Sequence, residues 1–331
     1  MRLSTKEADV LAAVELRASM RVDEIREELG YRAHTVRYAL SSLRQRQIIW
    51  RLPFINVRAL GYTIHNLYIS VGSEKKSHRQ SFLAALLNEP EVLRISELGS
   101  EYQYGLEVCA KNLSDVGLLV RRIASQFEHF HFEKAVASQL ATTYLPRRYL
   151  SSKMVRSKPL QIARTDRIFD VDEIDEKILR VLARGGEMTR AGLAREVAVP
   201  VTTLDARLKR LESRGIVGGY IYHVVPAAYQ MQSHTLLLQM RNLNRETLNK
   251  LFVFAEQHPA VVRITECFGS WDFELGIEVR LPSEVAEVQE SLYEAIGDHV
   301  HLVKSLCKYR DLKVQFYPVK QERQNRMSAA A

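Results

Sequence analysis

The feature that most constrains this 331-residue chain is an internal duplication. When the sequence is shifted by 168 positions, one helical region falls on a second with its apolar residues in register. The matched positions are Leu11/Leu179, Val14/Leu182, Met20/Met188, Ile25/Leu193, Leu29/Val197, Thr35/Thr203, Val36/Leu204, Leu40/Leu208, Leu43/Leu211 and Ile48/Ile216. The offset grows to 169 at Pro90/Pro259 and to 171 at Glu107/Glu278, so only small insertions separate the copies. One register kept over so many positions indicates a duplicated unit.

Each copy begins with three short helical segments. They are predicted at 4–17, 21–29 and 33–46 in copy one, and at 172–184, 189–197 and 201–214 in copy two. The third segment carries apolar residues at i, i+4 and i+7, which form one buried stripe on a helix. The short span after Gly30 leaves room only for a tight turn between the second and third helices. Each copy is therefore predicted to start with a helix-turn-helix.

The periodicity then changes to that of strands mixed with helices. The predicted order is β-α-β-β-α-β, at 62–71, 78–88, 92–98, 102–109, 113–127 and 130–143 in copy one, and at 233–240, 245–257, 261–267, 271–280, 283–295 and 299–317 in copy two. This order is the ferredoxin-like plan, an antiparallel sheet with helices on one face. Because the other face must be covered, such sheets commonly pair with one another.

We therefore expect an α+β chain made of two copies of a winged-helix-like helix-turn-helix followed by a ferredoxin-like domain. The predicted domains are 1–52 (helix-turn-helix 1), 60–145 (sensing and dimerisation domain 1), 146–170 (basic linker), 171–221 (helix-turn-helix 2), 231–318 (sensing and dimerisation domain 2) and 319–331 (disordered tail).

The charge distribution favours an anionic partner, double-stranded DNA. The net charge is 47 − 39 = +8, and residues 31–51 carry five arginines and no acid, whereas residues 199–219 carry four basic residues and two acids. A helix-turn-helix reads bases from the start of its second helix, while basic residues hold phosphates. The candidate DNA-binding residues are Arg32, His34, Thr35, Arg37, Tyr38, Ser41, Arg44 and Arg46 in copy one, and Thr202, Thr203, Arg207, Lys209 and Arg210 in copy two.

Copy two resembles the helix-turn-helix of the Lrp/AsnC transcriptional regulators. The resemblance lies in the acidic I-D-x-x-I-L start, the L-A-x-x-V second helix and the R-L-K-R-L-E-x-x-G-I end of VDEIDEKILRVLARGGEMTRAGLAREVAVPVTTLDARLKRLESRGIVGGY. The ferredoxin-like part is similar to the amino-acid-responsive sensing domain of that family. The resemblance implies DNA binding, dimerisation through the sheet domains and a small effector held between them.

The same resemblance implies an effector loop in copy two. The family places an aromatic residue beside the Asp of G-x-x-D, and this pattern is matched by Gly269, Ser270, Trp271 and Asp272, followed by Phe273. An amino-acid effector needs acceptors for its ammonium, and the Asp272 carboxylate is one. A turn built on Gly269 lets backbone N–H groups approach a ligand closely. The alternative is a hairpin turn in which Asp272 only shapes the backbone.

Copy one departs from the family pattern at this loop and in its recognition helix. Its loop reads Gly99-Ser100-Glu101-Tyr102, so the Asp is missing and one residue is deleted. The serine that family members often place at the start of the recognition helix is Arg32 in copy one and Pro200 in copy two, and Arg207 corresponds to Ala39. We expect copy two to sense the effector and copy one to bind DNA.

Two further features leave alternatives open. The linker holds seven Lys/Arg against one Asp over 145–168, which is typical of a solvated linker or of phosphate contacts. The histidine pair His129/His131 recurs as His299/His301, and two residues at i and i+2 of a strand face one way and could bind a metal. No accompanying ligand set supports a metal, so strand-start histidines are the better interpretation.

We expect a regulator that is not an enzyme and uses no cofactor, because no P-loop, GxSxG, HExxH or dinucleotide fingerprint is present. The alternative from another class is a siroheme decarboxylase, since those enzymes resemble paired Lrp/AsnC-like units and rely on His and Arg around the tetrapyrrole. The three cysteines show no CxxC pair, and the N-terminus predicts an amphipathic helix rather than a signal peptide. The expected partners are DNA, an amino-acid-like effector and further copies of the chain, in the cytoplasm and without a membrane.

Overall fold

The computed structural model describes residues 2–72, 76–99, 101–127, 131–153, 156–163, 167–185 and 188–319. Residues 320–331 of the predicted tail lie outside this range. The helices are α1 Thr5–Val14, α2 Val22–Leu29, α3 Ala33–Gln45, α4 Lys76–Asn88, α5 Leu113–Ala124, α6 Glu173–Ala183, α7 Arg190–Val197, α8 Val201–Ser213, α9 Arg245–Gln257 and α10 Glu284–Ile296. No described helix is both long enough and apolar enough to cross a lipid bilayer.

The strands follow the same duplicated order. They are β1 Ile49–Ile55, β2 Thr63–Gly72, β3 Val92–Gly99, β4 Tyr104–Ala110, β5 His131–Tyr144, β6 Leu160–Ala163, β7 Val217–Val224, β8 Gln232–Met240, β9 Val261–Gly269, β10 Phe273–Val279 and β11 Val300–Val314. Each predicted helix and strand is present within a few residues of its expected ends. The expected α+β class is confirmed.

The chain divides into two compact units that each combine parts of both copies. The first unit contains residues 1–54, 140–163 and 218–307, and so joins the helix-turn-helix of copy one to the ferredoxin-like domain of copy two. The second unit contains residues 55–139, 164–217 and, of the described residues, 308–319, and so joins the ferredoxin-like domain of copy one to the helix-turn-helix of copy two.

In the first unit, the sheet of the copy-two ferredoxin-like domain has the strand order β11-β8-β10-β9. Numbered from the first strand of that domain, this is 4-1-3-2, the ferredoxin-like order. Antiparallel pairing brings Phe273 opposite Leu238 on one side and opposite Glu266 on the other. The end of β5 and then β6 extend the sheet beyond β9. Helices α9 and α10 cover one face with a core that includes Leu251, Leu275 and Leu292.

In the second unit, the copy-one ferredoxin-like domain has the equivalent strand order β5-β2-β4-β3. The end of β11 extends this sheet beyond β3. The apolar core under α4 and α5 includes Leu67, Phe82, Leu106 and Leu119. The predicted β-α-β-β-α-β plan is thus present in each unit.

Local sequence signals determine the helix ends and the core of the helix-turn-helix of copy one. Ser4 caps α1 in a capping box with Glu7, in which each side chain bonds the backbone N–H of the other. Gly30 ends α2 in the left-handed conformation, φ 71°, which glycine adopts without strain. The buried side chains Leu11, Ile25 and Leu43 join the three helices in one core.

Three strands were not predicted. Strands β1 and β7 follow the two helix-turn-helices and form a two-stranded sheet of their own, and β6 lies inside the segment predicted as a linker. Both β1 and β7 are short apolar runs, which periodicity alone assigns poorly because they could equally end a helix or fill a loop. Strand β6 has only four residues, 160–163.

Acid should weaken the copy-one helix-turn-helix through Glu7, which is buried and accepts from Ser42 Oγ at 2.6 Å. Burial alone would raise the pKa of Glu7, but hydrogen bonds from Ser42, Ser4 and Arg46 outweigh it and lower the pKa to about 2. Because this lies below the unfolded value of 4.5, the stabilisation is present above pH 4.5 and is lost as the pH falls towards 2.

We expect the free energy of unfolding, measured with urea across this pH window, to fall less steeply in Glu7→Gln than in the parent protein. Glu27→Gln, on the exposed face of α2, is the matched control and should follow the parent. Parallel pH curves for the parent and Glu7→Gln would contradict the prediction.

Candidate nucleic-acid interface

The third helix of copy one, α3, presents a cationic and aromatic face without carboxylates. Its apolar stripe, Val36, Leu40 and Leu43, is buried in the core of the helix-turn-helix. The predicted DNA-binding residues exposed on the other side are Arg32, His34, Arg37, Tyr38, Ser41 and Arg44, whereas Thr35 is half-buried. Tyr38 is 75% exposed, which is unusual for a large aromatic side chain.

Several other cations of this region are held by neighbours in the same unit. Arg46 lies 2.8 Å from the Glu7 carboxylate, and its side chain is only 20% exposed. Arg44 Nη2 donates to the Tyr222 hydroxyl at 2.9 Å. Arg32 and Arg37 have no ion-pair partner among the described residues, so they are the cations of α3 most available to an anionic partner.

Helix α8, the equivalent helix of copy two, is different because its arginines are neutralised. Arg207 contacts the carboxylates of Asp172 and Asp175, the second at 3.2 Å. Arg210 contacts the same two carboxylates, and Asp175 is fully buried. The hydrogen bond from Arg207 is the main cause that lowers the pKa of Asp172 to about 2. Both predicted DNA-binding arginines of α8 therefore serve to attach it to the start of α6.

The exposed face that remains on α8 is slightly acidic. Among its own charged residues, Lys209 is exposed together with Asp205 and Glu212, and Asp205 lies 3.8 Å from the exposed Arg190 of α7. Thr202 is exposed and Thr203 is half-buried. The two helices thus differ more in exposed charge than the sequence totals indicate, and α3 is the stronger candidate for a DNA contact.

The two-stranded sheet of β1 and β7 adds aromatic and basic side chains to the first unit. The Arg51 guanidinium lies 3.7 Å from the centre of the Tyr220 ring, a close cation–π contact. The rings of Trp50 and His223 are 4.5 Å apart, centre to centre. Sequence reasoning missed these contacts because they join residues about 170 positions apart.

A buried ionic cluster joins the copy-one helix-turn-helix to the copy-two ferredoxin-like domain within the first unit. Arg147 donates to both oxygens of Glu278 at 2.8 Å and to Glu15 at 2.6 Å. Tyr149 donates to Glu278, and its hydroxyl lies 2.7 Å from that of Tyr229. Burial raises the pKa of Glu15, and the Arg147 guanidinium opposes that rise. Arg147 belongs to the segment predicted as a linker, and no sequence signal marks it as buried.

The predicted effector loop of copy two is a hairpin turn between β9 and β10. Gly269 has φ 147°, and both Gly269 and Ser270 are exposed. Trp271 is 3% exposed and donates to Glu274 at 3.0 Å. Asp272 Oδ2 accepts from the backbone N–H of Met240 at 2.7 Å, while Oδ1 has no partner among the described residues. The loop therefore uses half of the Asp272 carboxylate to fix its own shape.

The corresponding loop of copy one has another arrangement. A Cβ atom added at Gly99 would come within 2.0 Å of the Tyr309 hydroxyl, so the exposed Tyr309 side chain would have to shift to admit a larger residue there. Tyr102 packs against Tyr68 with ring centres 5.8 Å apart. Ser100 lies outside the described residues.

The repeated histidines are only partly described. His129 and the side chain of His131 lie outside the described residues. His301 is exposed at the start of β11, where its Nδ1 accepts from the Arg241 guanidinium at 2.8 Å. Within the described ranges, no group of three or more His, Cys, Asp or Glu side chains is placed to hold a metal ion.

Parts of this chain are similar in sequence to known DNA-binding proteins. The family model for winged helix-turn-helix DNA-binding domains matches residues 171–217. The HTH-type transcriptional regulator LrpA of Mycobacterium tuberculosis is 40% identical over 58 residues, which are 18% of this chain and 39% of that relative. The leucine-responsive regulatory protein of Escherichia coli is 28% identical over 114 residues, 34% of this chain and 68% of that relative.

A solved structure shares the fold over nearly the whole chain. The crystal structure of the siroheme decarboxylase NirDL covers 96% of this chain and 95% of its own, with a TM-score of 0.60 and 12% identity. The prediction that the chain is not an enzyme is therefore wrong, because its whole architecture is one that an enzyme uses. The prediction was based on the absence of short catalytic motifs from the sequence, and such an absence does not exclude enzymatic activity.

The duplicated domains, their strand orders and the matched relatives agree. The chain is an Lrp/AsnC-like protein in which the helix-turn-helix and the ferredoxin-like domain each occur twice.

Proposed function

We propose that the chain is a DNA-binding transcriptional regulator of the Lrp/AsnC type that uses α3 of copy one as its main reading helix. The observation that carries this proposal is the exposed face of α3, which holds Arg32, His34, Arg37, Tyr38 and Ser41 and no carboxylate. A regulator of DNA needs such a face, because every phosphate that approaches an exposed carboxylate is repelled.

The expected mode of binding follows from the position of these residues on the helix. The first half of the second helix of a helix-turn-helix faces base edges in the major groove. Arg32 precedes the first turn and Arg37 lies one turn later, so either guanidinium can reach guanine O6 and N7 or a phosphate. Because α8 exposes a slightly acidic face, we expect an operator without palindromic symmetry.

The test is selection of duplexes from a random pool, followed by affinity measurements at increasing salt. Six to ten phosphate contacts should weaken binding by about 10³–10⁵ between roughly 50 and 200 mM salt. A flat salt response, or no enrichment of any sequence, would exclude this function.

We also propose that the copy-two loop binds a small effector with an ammonium group, such as an amino acid. The exposed turn at Gly269 and Ser270 and the unpaired Asp272 Oδ1 support this. Asp272→Asn keeps an oxygen that can accept from Met240 N–H but removes the negative charge that would bind an ammonium.

We expect some of the twenty amino acids to raise the Tm of the parent protein, by the linkage between ligand binding and stability. Asp272→Asn should keep the parent Tm without ligand and lose that increase. Ser233→Ala, on the neighbouring strand β8, is the control. If the ligands raise the Tm of Asp272→Asn as much as that of the parent, the effector site does not depend on Asp272.

A second candidate function is decarboxylation of a siroheme-type tetrapyrrole. It is favoured by the fold shared with NirDL over 96% of the chain. The exposed neighbours Arg241 and His301 could hold a substrate carboxylate, whereas Arg147 is already bound to carboxylates of the chain.

An absorbance titration with siroheme, followed by mass analysis of the products, tests this candidate. Loss of carbon dioxide from the substrate would establish the activity, and Arg241→Ala should weaken it more than Arg245→Ala. An unchanged siroheme spectrum at stoichiometric protein would exclude it.

A further inference from the structure

The segment between the two copies does not run free but lies on the helix-turn-helix of copy one, within the first unit. Tyr149 and Leu150 pack against the apolar core of that domain. Ser151 Oγ donates to the Asp9 carboxylate at 2.5 Å, and Asp9 is 2% exposed. Apolar packing and a buried hydrogen bond together fix the path of the backbone over α1.

The segment then passes the turn that leads into α3. Lys153 Nζ donates to the carbonyl oxygen of Leu29 at 2.8 Å and lies 4.0 Å above the Tyr31 ring. Tyr31 directly precedes the N-cap of α3. The backbone N–H of Arg156 donates to Glu28 at 2.7 Å. These contacts hold the segment beside the start of the candidate reading helix.

The side chains that the segment presents there are basic and exposed. Lys153, Arg156 and Lys158 all lie at the surface. Two acids lie close by and both are already paired: Glu28 has an ion-pair partner in Arg17 at 2.8 Å and a side chain only 7% exposed, and Asp9 lies 3.9 Å from Lys153 Nζ. Helix α2, by contrast, exposes its acidic residues Asp23, Glu24 and Glu27. The cations next to the start of α3 therefore come from the linker rather than from α2.

We propose that this docked linker, residues 147–153 and 156–158 of the described chain, is a second part of the nucleic-acid interface. It binds the phosphate backbone of a duplex beside the bases that α3 reads through Arg156 and Lys158, while Lys153 anchors the segment. The inference rests on the proposed DNA-binding function and adds a phosphate clamp to it. Since phosphates carry no sequence information, the clamp should add affinity and fix register without changing base preference.

The experiment measures duplex affinity of the full chain against salt for Arg156→Gln/Lys158→Gln. Each lost phosphate contact lowers the slope of log K against log salt by about 0.9, so the double variant should have a slope shallower by about 1.8. At about 0.1 M salt we expect binding at least about tenfold weaker, with an unchanged ratio of specific to non-specific affinity.

A charge-matched control removes two exposed cations from the copy-two sensing domain, in Arg245→Gln/Arg280→Gln. It should keep the parent slope. A further variant, Lys153→Leu, removes the contacts to Leu29, Tyr31 and Asp9 but keeps the two phosphate-binding cations. It should weaken binding as the double variant does, because those cations lose their position. Far-ultraviolet circular dichroism identifies any variant that fails to fold.

The outcomes separate this inference from the function on which it rests. If the parent binds a selected duplex and Arg156→Gln/Lys158→Gln binds it with the same affinity and slope, the clamp does not exist although the function stands. If the control pair lowers the slope as much as the linker pair, the effect is general charge and the clamp is again excluded. If the parent binds no duplex, both proposals fail.

Discussion

Replacing Arg147 with alanine should lower the free energy of unfolding by about 3–5 kcal/mol, the range typical of a buried charge that loses its partner. The guanidinium bonds both oxygens of Glu278 and one oxygen of Glu15 at 2.6–2.8 Å. Glu15 is fully buried and Glu278 is 5% exposed. Neither carboxylate can regain water without moving α1 or β10, so the variant leaves two anions in the interior without their shared cation.

Urea unfolding of Arg147→Ala and Arg148→Ala measures this effect on neighbouring residues of the same type. Arg148 is exposed, and its loss should change the free energy of unfolding by less than about 0.5 kcal/mol. Equal unfolding free energies for the two variants at neutral pH would show that the cluster contributes nothing to stability.

The pH dependence of the Arg147→Ala defect has a defined sign. Burial raises the pKa of Glu15 and Arg147 opposes that rise, so the variant should raise this pKa further. A carboxyl whose folded-state pKa exceeds its unfolded value binds more protons in the folded state, and stability therefore rises as the pH falls through that folded pKa. We expect the defect to shrink on acidification towards the unfolded value of 4.5, and a defect that grows over this range would contradict the assignment.

The fold could be predicted from the sequence because the sequence signals that specify it are local and occur in both copies. Apolar spacing in α3 and α8, the turn at Gly30 and the change from helical to strand periodicity depend only on residues close in the chain. Because the unit is duplicated, an element predicted in one copy can be compared with the matching residues of the other. Strands β1 and β7 were not predicted because each pairs with a strand about 170 residues away, and neither has a sequence periodicity that excludes a helix or a loop.

The candidate site was harder to predict because charge totals do not show which charges are already paired. The acidic start of α6 belongs to the family pattern, and its Asp175 is the buried partner of Arg207 and Arg210. The same holds for Glu7 and Arg46 in copy one. Ion pairs of this kind join different helices, so only the packed structure separates an arginine that holds the domain together from one that can meet a phosphate.

The double variant Arg32→Ala/Arg37→Ala in α3 should weaken binding of a selected duplex by at least about 30-fold. Each good arginine contact to a base contributes about 1–3 kcal/mol of discrimination, and contacts at separate positions add approximately. Both side chains are exposed and neither has an ion-pair partner among the described residues, so folding should be affected by less than about 0.5 kcal/mol. Base preference should relax at the positions that these residues read.

The matched pair in α8 is Thr202→Ala/Lys209→Ala, which removes the exposed polar residues of the second candidate reading helix. Because the remaining face of α8 carries Asp205 and Glu212, we expect a loss of less than about tenfold, no more than the size of one phosphate contact. The footprint of the α3 variant should lose protection over the half of the operator that α3 contacts. The footprint of the α8 variant should keep protection over the half that α8 contacts. Equal losses of affinity from the two double variants would show that the two helices read DNA alike. Protection of a perfectly palindromic operator by the α3 double variant would show the same. In that case the internal ion pairs of Arg207 and Arg210 would have to open on binding.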